Sequence, residues 1–304
     1  MNKYMRYALL VVFYLAAAAR DVVSKIVLEH LKPLQLAALT SLIAVITCLV
    51  IHQIQKKIQR NYQKNVWTRT KVLFLITLSI TTFFAVYLTN LSIQQVGPLT
   101  FKIVEVITYP SWVALLTWLL MHQKVPKKDL LATVITLGGF FVFYSQSFDQ
   151  FQAQWLGIIA SIGGSFAFAA SLLLAKWLLA HHLQPVSLVA GRFTLLGLVA
   201  LTIRPITVTQ LPADIQWYLL GLGVLAYGIL FTFMYYVIKG IPASTMAVFI
   251  AGTPIFSATL TWLLIPGTTY TGLELLGLGI IVAGLLAVVF IDEKEPDKLP
   301  EGFA

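Results

Sequence analysis

The chain has 304 residues, of which 59% are hydrophobic and 11% charged, against about 45–50% and 25% in soluble globular domains. Apolar segments of about 20 residues recur along its length, and each is long enough to cross the hydrocarbon of a bilayer. The composition excludes a soluble domain, and the lack of short polar/apolar alternation excludes a membrane barrel. Most of the net charge of +9 lies in connecting loops, which favours control of membrane topology over binding of nucleic acid.

Hydropathy predicts an all-α polytopic membrane protein with short connections that hold proline, glycine or charge. The N-terminal segment resembles a secretory signal, but apolar residues continue after Arg20 and Asp21, so we expect it to be retained. The ten predicted transmembrane helices are spans 5–28, 33–54, 71–93, 98–121, 129–145, 155–179, 185–204, 216–237, 242–264 and 272–291.

Lysine and arginine are divided unequally between the two sides of these spans. With the N-terminus inside, the inner segments hold fourteen of them and the outer connections only Lys32 and Arg204. Positive charge retards translocation, so we predict an N-in/C-in, multi-pass protein of the inner (plasma) membrane. The basic loop at 56–71 is expected to contact anionic membrane lipids as well.

One stretch of the chain is repeated. Residues 98–120 and 242–264 coincide at nine of 23 positions, including two prolines and a final Leu-Thr-Trp-Leu-Leu. The copies fall on spans four and nine, so each half has five spans, and an odd number inserts the halves in opposite directions. We predict a first five-helix repeat at 1–147, a second, inverted repeat at 148–291 and a cytoplasmic polar tail at 292–304.

Several short motifs resemble the drug/metabolite transporter superfamily in its ten-helix EamA-type branch. They are Ser24-Lys25 followed by Pro33-Leu34-Gln35-Leu36-Ala37-Ala38, the segment 185–193, the two proline segments and the glycines that end spans five and ten. Their order and spacing across about 5–291 carry the resemblance. It implies a ten-helix carrier that most often exports amino acids or related metabolites.

No pattern in the sequence indicates an enzyme. It contains no Gly-rich phosphate loop, no His/Cys metal spacing and no Gly-x-Ser-x-Gly turn. His181 and His182 are adjacent and do not share a helix face, and the single cysteine, Cys48, excludes an internal disulfide. We therefore predict no catalytic residue, no metal and no cofactor.

Charged residues inside the spans indicate where a site could lie. Each costs about 2.5–3.5 kcal/mol at a helix centre, so it needs a partner or a wet cavity. Asp21 and Lys25 are four residues apart and are expected to pair, which leaves Arg20 about 100° away without that partner. Lys102 and Glu105, three apart, are also expected to pair. Helix geometry places Arg20 and Glu105 at similar depth.

These charges allow two interpretations. In the first they bind a zwitterionic or charged metabolite between the halves. Arg20 and Lys102 would then receive an anionic group, and Asp21 or Glu105 an amine or a coupling proton. In the second they form a structural ion-pair network, with the lysines extending towards the membrane interface.

Prolines in spans four and nine are candidate kinks. Pro110 and Pro254 each free a carbonyl that must face protein or a cavity rather than lipid, although a kink can also serve packing alone. Tyr109 and Trp112 flank the first proline and could line a cavity. Arg192, with no acidic residue in span seven, is a further candidate for binding substrate.

Small residues recur every four positions on span six, at Ser161, Ser165 and Ala169. This spacing places them on one helix face. Small side chains let helix backbones approach closely, so the pattern predicts tight packing against a neighbour rather than binding of substrate.

The function predicted from these features is secondary-active transport of a small polar or zwitterionic metabolite such as an amino acid. Two inverted repeats would provide alternating access, most often for export. A proton is a candidate coupling ion, and the protein would act as a monomer or homodimer. A channel, which needs a continuous polar stripe, a lipid flippase, which needs a groove open to lipid, and a non-transporting scaffold remain alternatives.

Overall fold

In the computed structural model, the described residues are 3–58, 65, 67–121, 127–145, 154–202, 210–238 and 253–290. These residues form helices and turns without strands, which confirms the predicted all-α class. The helices are α1 (Lys3–Val27), α2 (Pro33–Ile58), α3 (Arg69–Met121), α4 (Lys127–Tyr144), α5 (Trp155–Ala180), α6 (Pro185–Thr202), α7 (Ala213–Gly221), a π-helical segment (Leu222–Leu230), α8 (Phe231–Ile238), α9 (Thr253–Leu264) and α10 (Gly272–Phe290).

By length and composition, five of the described helices can cross a membrane. Each predicted span overlaps a described helix, although residues 242–252 of span nine lie outside the described part. Two apolar helices are shorter, at Thr253–Leu264 and Gly272–Gly284. Five described helices are long and apolar enough to span a bilayer: Pro33–Ile58, Arg69–Leu119, Trp155–Ala180, Pro185–Thr202 and Ala213–Val237.

The predicted connection between spans three and four is shorter than expected. Residues 94–96 were expected in a loop but are helical, and only Gly97 leaves helical geometry inside α3, with φ 81° and ψ 166°. Glycine adopts a positive φ without a Cβ clash. Pro98 then suits the start of the next helical part, because its φ is already helical and it has no N–H to satisfy. One residue therefore divides α3 into 69–96 and 98–121.

Helix α5 packs against α3 in the most extensive helix–helix contact of the described residues. Contacts between the two helices run in opposite order along them, through the pairs Gly157–Val96, Gly164–Thr89, Ser171–Thr81 and Trp177–Phe74. The two helices are therefore antiparallel. Ser161, Ser165 and Ala169 are buried in α5, and Ser161 Oγ donates to the Phe101 carbonyl oxygen at 3.3 Å. The predicted tight packing of this face is confirmed.

Contacts between the two halves come in equivalent pairs. Helix α2 runs parallel to the span at 213–238, through Thr40–Gly223, Thr47–Gly228 and Gln55–Tyr236. In the same way α6 runs parallel to 69–96 of α3, through Gly191–Leu75 and Leu195–Ser79.

The fifth and tenth predicted spans also contact each other. Helices α4 and α10 are antiparallel, because Gly139 lies against Ile281 while Phe143 lies against Gly277. Under the predicted repeat, spans two, three and five of the first half correspond to spans seven, eight and ten of the second. The contact between α2 and 213–238 is then equivalent to the contact between α6 and α3. The contact between α4 and α10 joins two equivalent spans and is its own counterpart. These directions are the ones that two repeats inserted in opposite senses produce.

Candidate functional site

Four charged side chains from α1 and α3 meet inside the helix bundle, and we name them the charged tetrad. Arg20 Nη2 lies 2.6 Å from Asp21 Oδ1, and Asp21 Oδ2 lies 2.8 Å from Lys102 Nζ. Lys102 Nζ is in turn 2.5 Å from Glu105 Oε2. The four side chains are at most 9% exposed. Positive and negative groups alternate, so the tetrad has no net charge.

The position of the tetrad follows from local helix geometry. Lys102 lies five residues after the break at Gly97, in the first turns of the second part of α3. Glu105, three residues further on, shares its helix face. Asp21 lies six residues before the end of α1, and α1 packs on α3. Buried charges need such partners because removal from water costs several kcal/mol for each ion.

The pairing inside α1 differs from the predicted one. Asp21 was expected to pair with Lys25, and Arg20 to lack that partner. Instead Arg20 Nε donates to Asp21 Oδ1 at 2.8 Å, and Lys25 Nζ donates to the Gln94 carbonyl oxygen at 3.0 Å. That prediction was wrong because it used helix angles alone, whereas a long guanidinium side chain folds back to an adjacent carboxylate. The predicted pair of Lys102 and Glu105 is present.

A fifth buried charge, Arg192 of α6, lies among aromatic rings and is 2% exposed. Its Nε donates to Thr82 Oγ1 at 3.3 Å, and its Nη1 donates to Tyr235 Oη. Among the described residues no carboxylate lies within ion-pair distance of it. Four rings of described residues have centroids within 6 Å of Arg192 Cζ, at 4.6 Å for Phe231, 5.2 Å for Phe193, 5.7 Å for Tyr235 and 5.8 Å for Phe168. Arg192 and these four residues are named the arginine–aromatic cluster.

Tyr227 connects the tetrad with this cluster. Its ring centroid lies 5.5 Å from Arg20 Cζ. The same ring is stacked with that of Phe231, at 6.0 Å and an interplanar angle of 5°, and Phe231 is the ring nearest to Arg192. Tyr227 belongs to the π-helical segment, and π-helical turns are rare and often occur at functional sites. Two guanidinium groups thus lie on either side of a stacked aromatic pair.

The two aromatic residues expected near Pro110 lie in different surroundings. Tyr109 is buried, and its ring centroid is 5.9 Å from that of Phe168, which places it next to the arginine–aromatic cluster. Trp112 packs edge-on against Phe166 at 5.2 Å, and Phe166 is exposed on the outside of the bundle. Only Tyr109 is therefore brought next to the buried charges by these ring contacts.

The two prolines occupy different helix positions. Pro110 lies within α3, whose backbone leaves helical geometry only at Gly97. The carbonyl that it frees belongs to Val106, a buried residue, as expected for backbone that must avoid lipid. Pro254 is the second residue of the described α9, and the carbonyl predicted for its kink, at Ile250, lies outside the described residues. A gating role of either proline stays a prediction.

Sequence reasoning did not single out Tyr227, Phe231 and Tyr235. Their spacing of four places them on one face, and this was the available signal. Such stripes occur often in helix packing, so the pattern alone did not distinguish a site. Thr82 and Phe168 carried no signal, because only the folded chain brings them to Arg192.

The fold and the buried charges define a polytopic helical membrane protein built from two related halves. The EamA-like transporter family matches the chain twice, at residues 5–145 and 155–290, so the chain belongs to this family. The double match confirms the resemblance to the drug/metabolite transporter superfamily and agrees with the repeat in the sequence. The protein is a multi-pass membrane transporter of this type.

No curated protein is found to match the chain. A crystal structure described only as that of a protein is similar, with 14% sequence identity and a TM-score of 0.66. The match covers 97% of this chain and 100% of that chain. At this identity the likeness shows the fold alone.

Proposed function

We propose that the protein is a secondary-active carrier that exports a small polar or zwitterionic metabolite, such as an amino acid, across the inner (plasma) membrane. The observation that carries this proposal is the burial of five charged side chains in a bundle whose other buried residues, in the described part of the chain, are uncharged. The tetrad comes from the first half, and Arg192 with Tyr227 and Tyr235 comes from the second. Intramembrane charges of this kind commonly mark a substrate or ion pathway.

The substrate binds between the repeats and gains access by a rearrangement of the halves. In the structure the tetrad is at most 9% exposed, so this conformation is closed around it. Because the contacts between the halves come in equivalent pairs, one set can open while its counterpart closes. This motion exposes the same site alternately to the two sides of the membrane.

Two buried groups suit a polar substrate and a coupling proton. Asp21 contacts two cations, whereas Glu105 contacts Lys102 alone among the described residues. Glu105, with a single ion-pair partner, is the proposed acceptor of the coupling proton. Asn90 is buried with neither amide atom hydrogen-bonded within the described part of the chain. An unmet buried amide costs about 1–3 kcal/mol, and a polar substrate would satisfy it.

Transport by purified protein in proteoliposomes tests the proposal. We expect amino-acid flux that saturates with concentration, as carrier binding requires, rather than the linear flux of a channel. The double variant Arg20→Ala/Glu105→Ala should abolish transport, while Glu29→Ala/Arg69→Ala, which removes the same charges from exposed positions, should retain it. Absence of any flux would contradict the carrier, and normal flux in the first variant would contradict the site.

Orientation has a separate test. A reporter fused to the C-terminus should be active in the cytoplasm if the N-in/C-in arrangement holds. Activity of a periplasmic reporter at that position would contradict it and would leave the transport measurement unaffected.

A further inference from the structure

The buried charges of the described residues do not balance. Of the 12 acidic residues in the chain, Asp21 and Glu105 lie well inside the predicted spans, Asp129 and Glu274 lie at the starts of spans five and ten, and the other eight lie outside the spans. Three cations, Arg20, Lys102 and Arg192, share the same buried region. Among these buried groups one positive charge is therefore in excess. Because the tetrad is internally neutral, the excess belongs to Arg192.

Arg192 is held by neutral groups alone in the described part of the chain. Its contacts there are two hydroxyl groups and the faces of aromatic rings. The segment at 239–252, which lies outside the described residues, contains no aspartate or glutamate. It therefore has no carboxylate side chain with which to neutralise Arg192. A cation buried in a membrane without a counter-ion is costly, and such residues commonly serve function.

The geometry of Arg192 leaves donors for an anion. A guanidinium has five N–H groups, and two of them are used by Thr82 and Tyr235. The remaining three, which include both on Nη2, have no acceptor among the described residues. Nη1 and Nη2 thus keep a fork that matches the two oxygens of a carboxylate. The surrounding rings of Phe168, Phe193 and Phe231 provide apolar walls.

We infer that the substrate supplies the missing charge. Arg192 binds the carboxylate of a metabolite with a net charge of −1, and the arginine–aromatic cluster packs against its apolar body. This inference rests on the proposed function and, within its class of small polar or zwitterionic metabolites, favours a monocarboxylate over a zwitterion. It also assigns the anion to Arg192 rather than to Arg20 or Lys102, whose charges are already matched.

Thermal unfolding of the purified full-length protein with matched probes tests the inference. The probes are acetate, benzoate and 3-phenylpropanoate as carboxylates, 3-phenylpropanamide as the neutral analogue and phenylalanine as the zwitterion. We expect at least one carboxylate to raise Tm, the amide to have no effect and phenylalanine to stabilise less, because a ligand that binds only the folded state stabilises it. Stabilisation by the amide equal to that by the carboxylates, or none by any carboxylate, would overturn the assignment.

Variants locate the effect at Arg192. Arg192→Gln should abolish the carboxylate-dependent rise in Tm, whereas Arg69→Gln, an equal charge loss at an exposed position, should keep it. Arg192→Lys keeps the charge but loses the fork, so carboxylate affinity should fall about tenfold. If Arg192→Gln does not fold, the affinity of Arg192→Lys alone tests the assignment. An unchanged affinity in Arg192→Lys or an unchanged response in Arg192→Gln would exclude this site.

Flux measurements separate this inference from the proposed function. A carboxylate that binds at Arg192 but shows no saturable uptake into proteoliposomes would contradict transport and leave the anion site intact. Saturable transport of phenylalanine that is unchanged in Arg192→Gln would leave transport intact and overturn the anion site. Saturable uptake of a carboxylate that is lost in Arg192→Gln supports both.

Discussion

The charged tetrad and the arginine–aromatic cluster hold buried charge in opposite ways. In the tetrad every charged group has an opposite charge within 2.8 Å. In the cluster Arg192 has hydroxyl groups and ring faces as its described partners. A balanced network is completed by the chain itself, whereas an unbalanced cation needs a counter-ion from outside. Charge balance, more than burial, therefore distinguishes the tetrad, which needs no further counter-ion, from the proposed anion site at Arg192.

The largest expected effect is in the tetrad. Lys102→Met leaves Asp21 and Glu105 with one cation between them, and breaking a buried pair in this way costs about 3–5 kcal/mol. The double variant Lys102→Met/Glu105→Gln removes a neutral pair and leaves Arg20 with Asp21, so most of the loss should be recovered. Denaturant unfolding in mixed micelles measures the free energy of unfolding of both variants. Wild-type stability in Lys102→Met would contradict a self-balanced tetrad.

A smaller effect is expected at the hydroxyl that supports Arg192. Tyr235→Phe removes the acceptor for one N–H and leaves that donor unsatisfied, which costs about 1–3 kcal/mol. This hydrogen bond also orients the guanidinium, so carboxylate affinity should fall as well. A loss of about 1.4 kcal/mol, at the low end of that range, corresponds to a roughly tenfold fall in affinity. Thermal-shift titration with 3-phenylpropanoate measures the change. Tyr236→Phe, at an exposed neighbouring position, is the matched control and should bind as the wild type does.

The smallest expected effect concerns the stability of the cluster without ligand. Arg192→Met replaces an uncompensated cation with an unbranched apolar side chain. Two hydrogen bonds are lost, but the cost of burying the charge is removed as well, so the two effects offset each other. We expect the free energy of unfolding to change by less than about 1 kcal/mol, in contrast to Lys102→Met. A loss as large as that of Lys102→Met would show that Arg192 is structural support.

Much of the fold could be predicted because hydropathy and a duplicated sequence both persist over long ranges. The break in α3 was less predictable, since the polar pair Gln94 and Gln95 indicated a loop although both residues are helical. Glycine alone supplies the positive φ at residue 97, so the residues before it can continue the helix. The polarity of Gln94 and Gln95 therefore predicted the end of span three too early, because the backbone geometry of Gly97 sets that boundary.

The site was predicted only in part. Lys102 and Glu105 are neighbours on one helix, so their spacing was sufficient to predict their contact. The contact between Arg20 and Asp21 depends on side-chain reach, which a helical projection does not include. The cluster depends on residues from different helices, as in the contact between Thr82 and Arg192. No spacing in the sequence reports such a contact.

A counter-ion built into the chain tests the central claim most directly. Thr82 Oγ1 already accepts a hydrogen bond from Arg192 Nε, so Thr82→Asp places a carboxylate beside the unbalanced cation, and Thr82→Asn is its neutral, equal-sized control. We predict that Thr82→Asp is more stable than Thr82→Asn and no longer gains stability from 3-phenylpropanoate, while Thr82→Asn still responds. An aspartate variant that still binds the carboxylate as tightly as the asparagine variant would contradict the account.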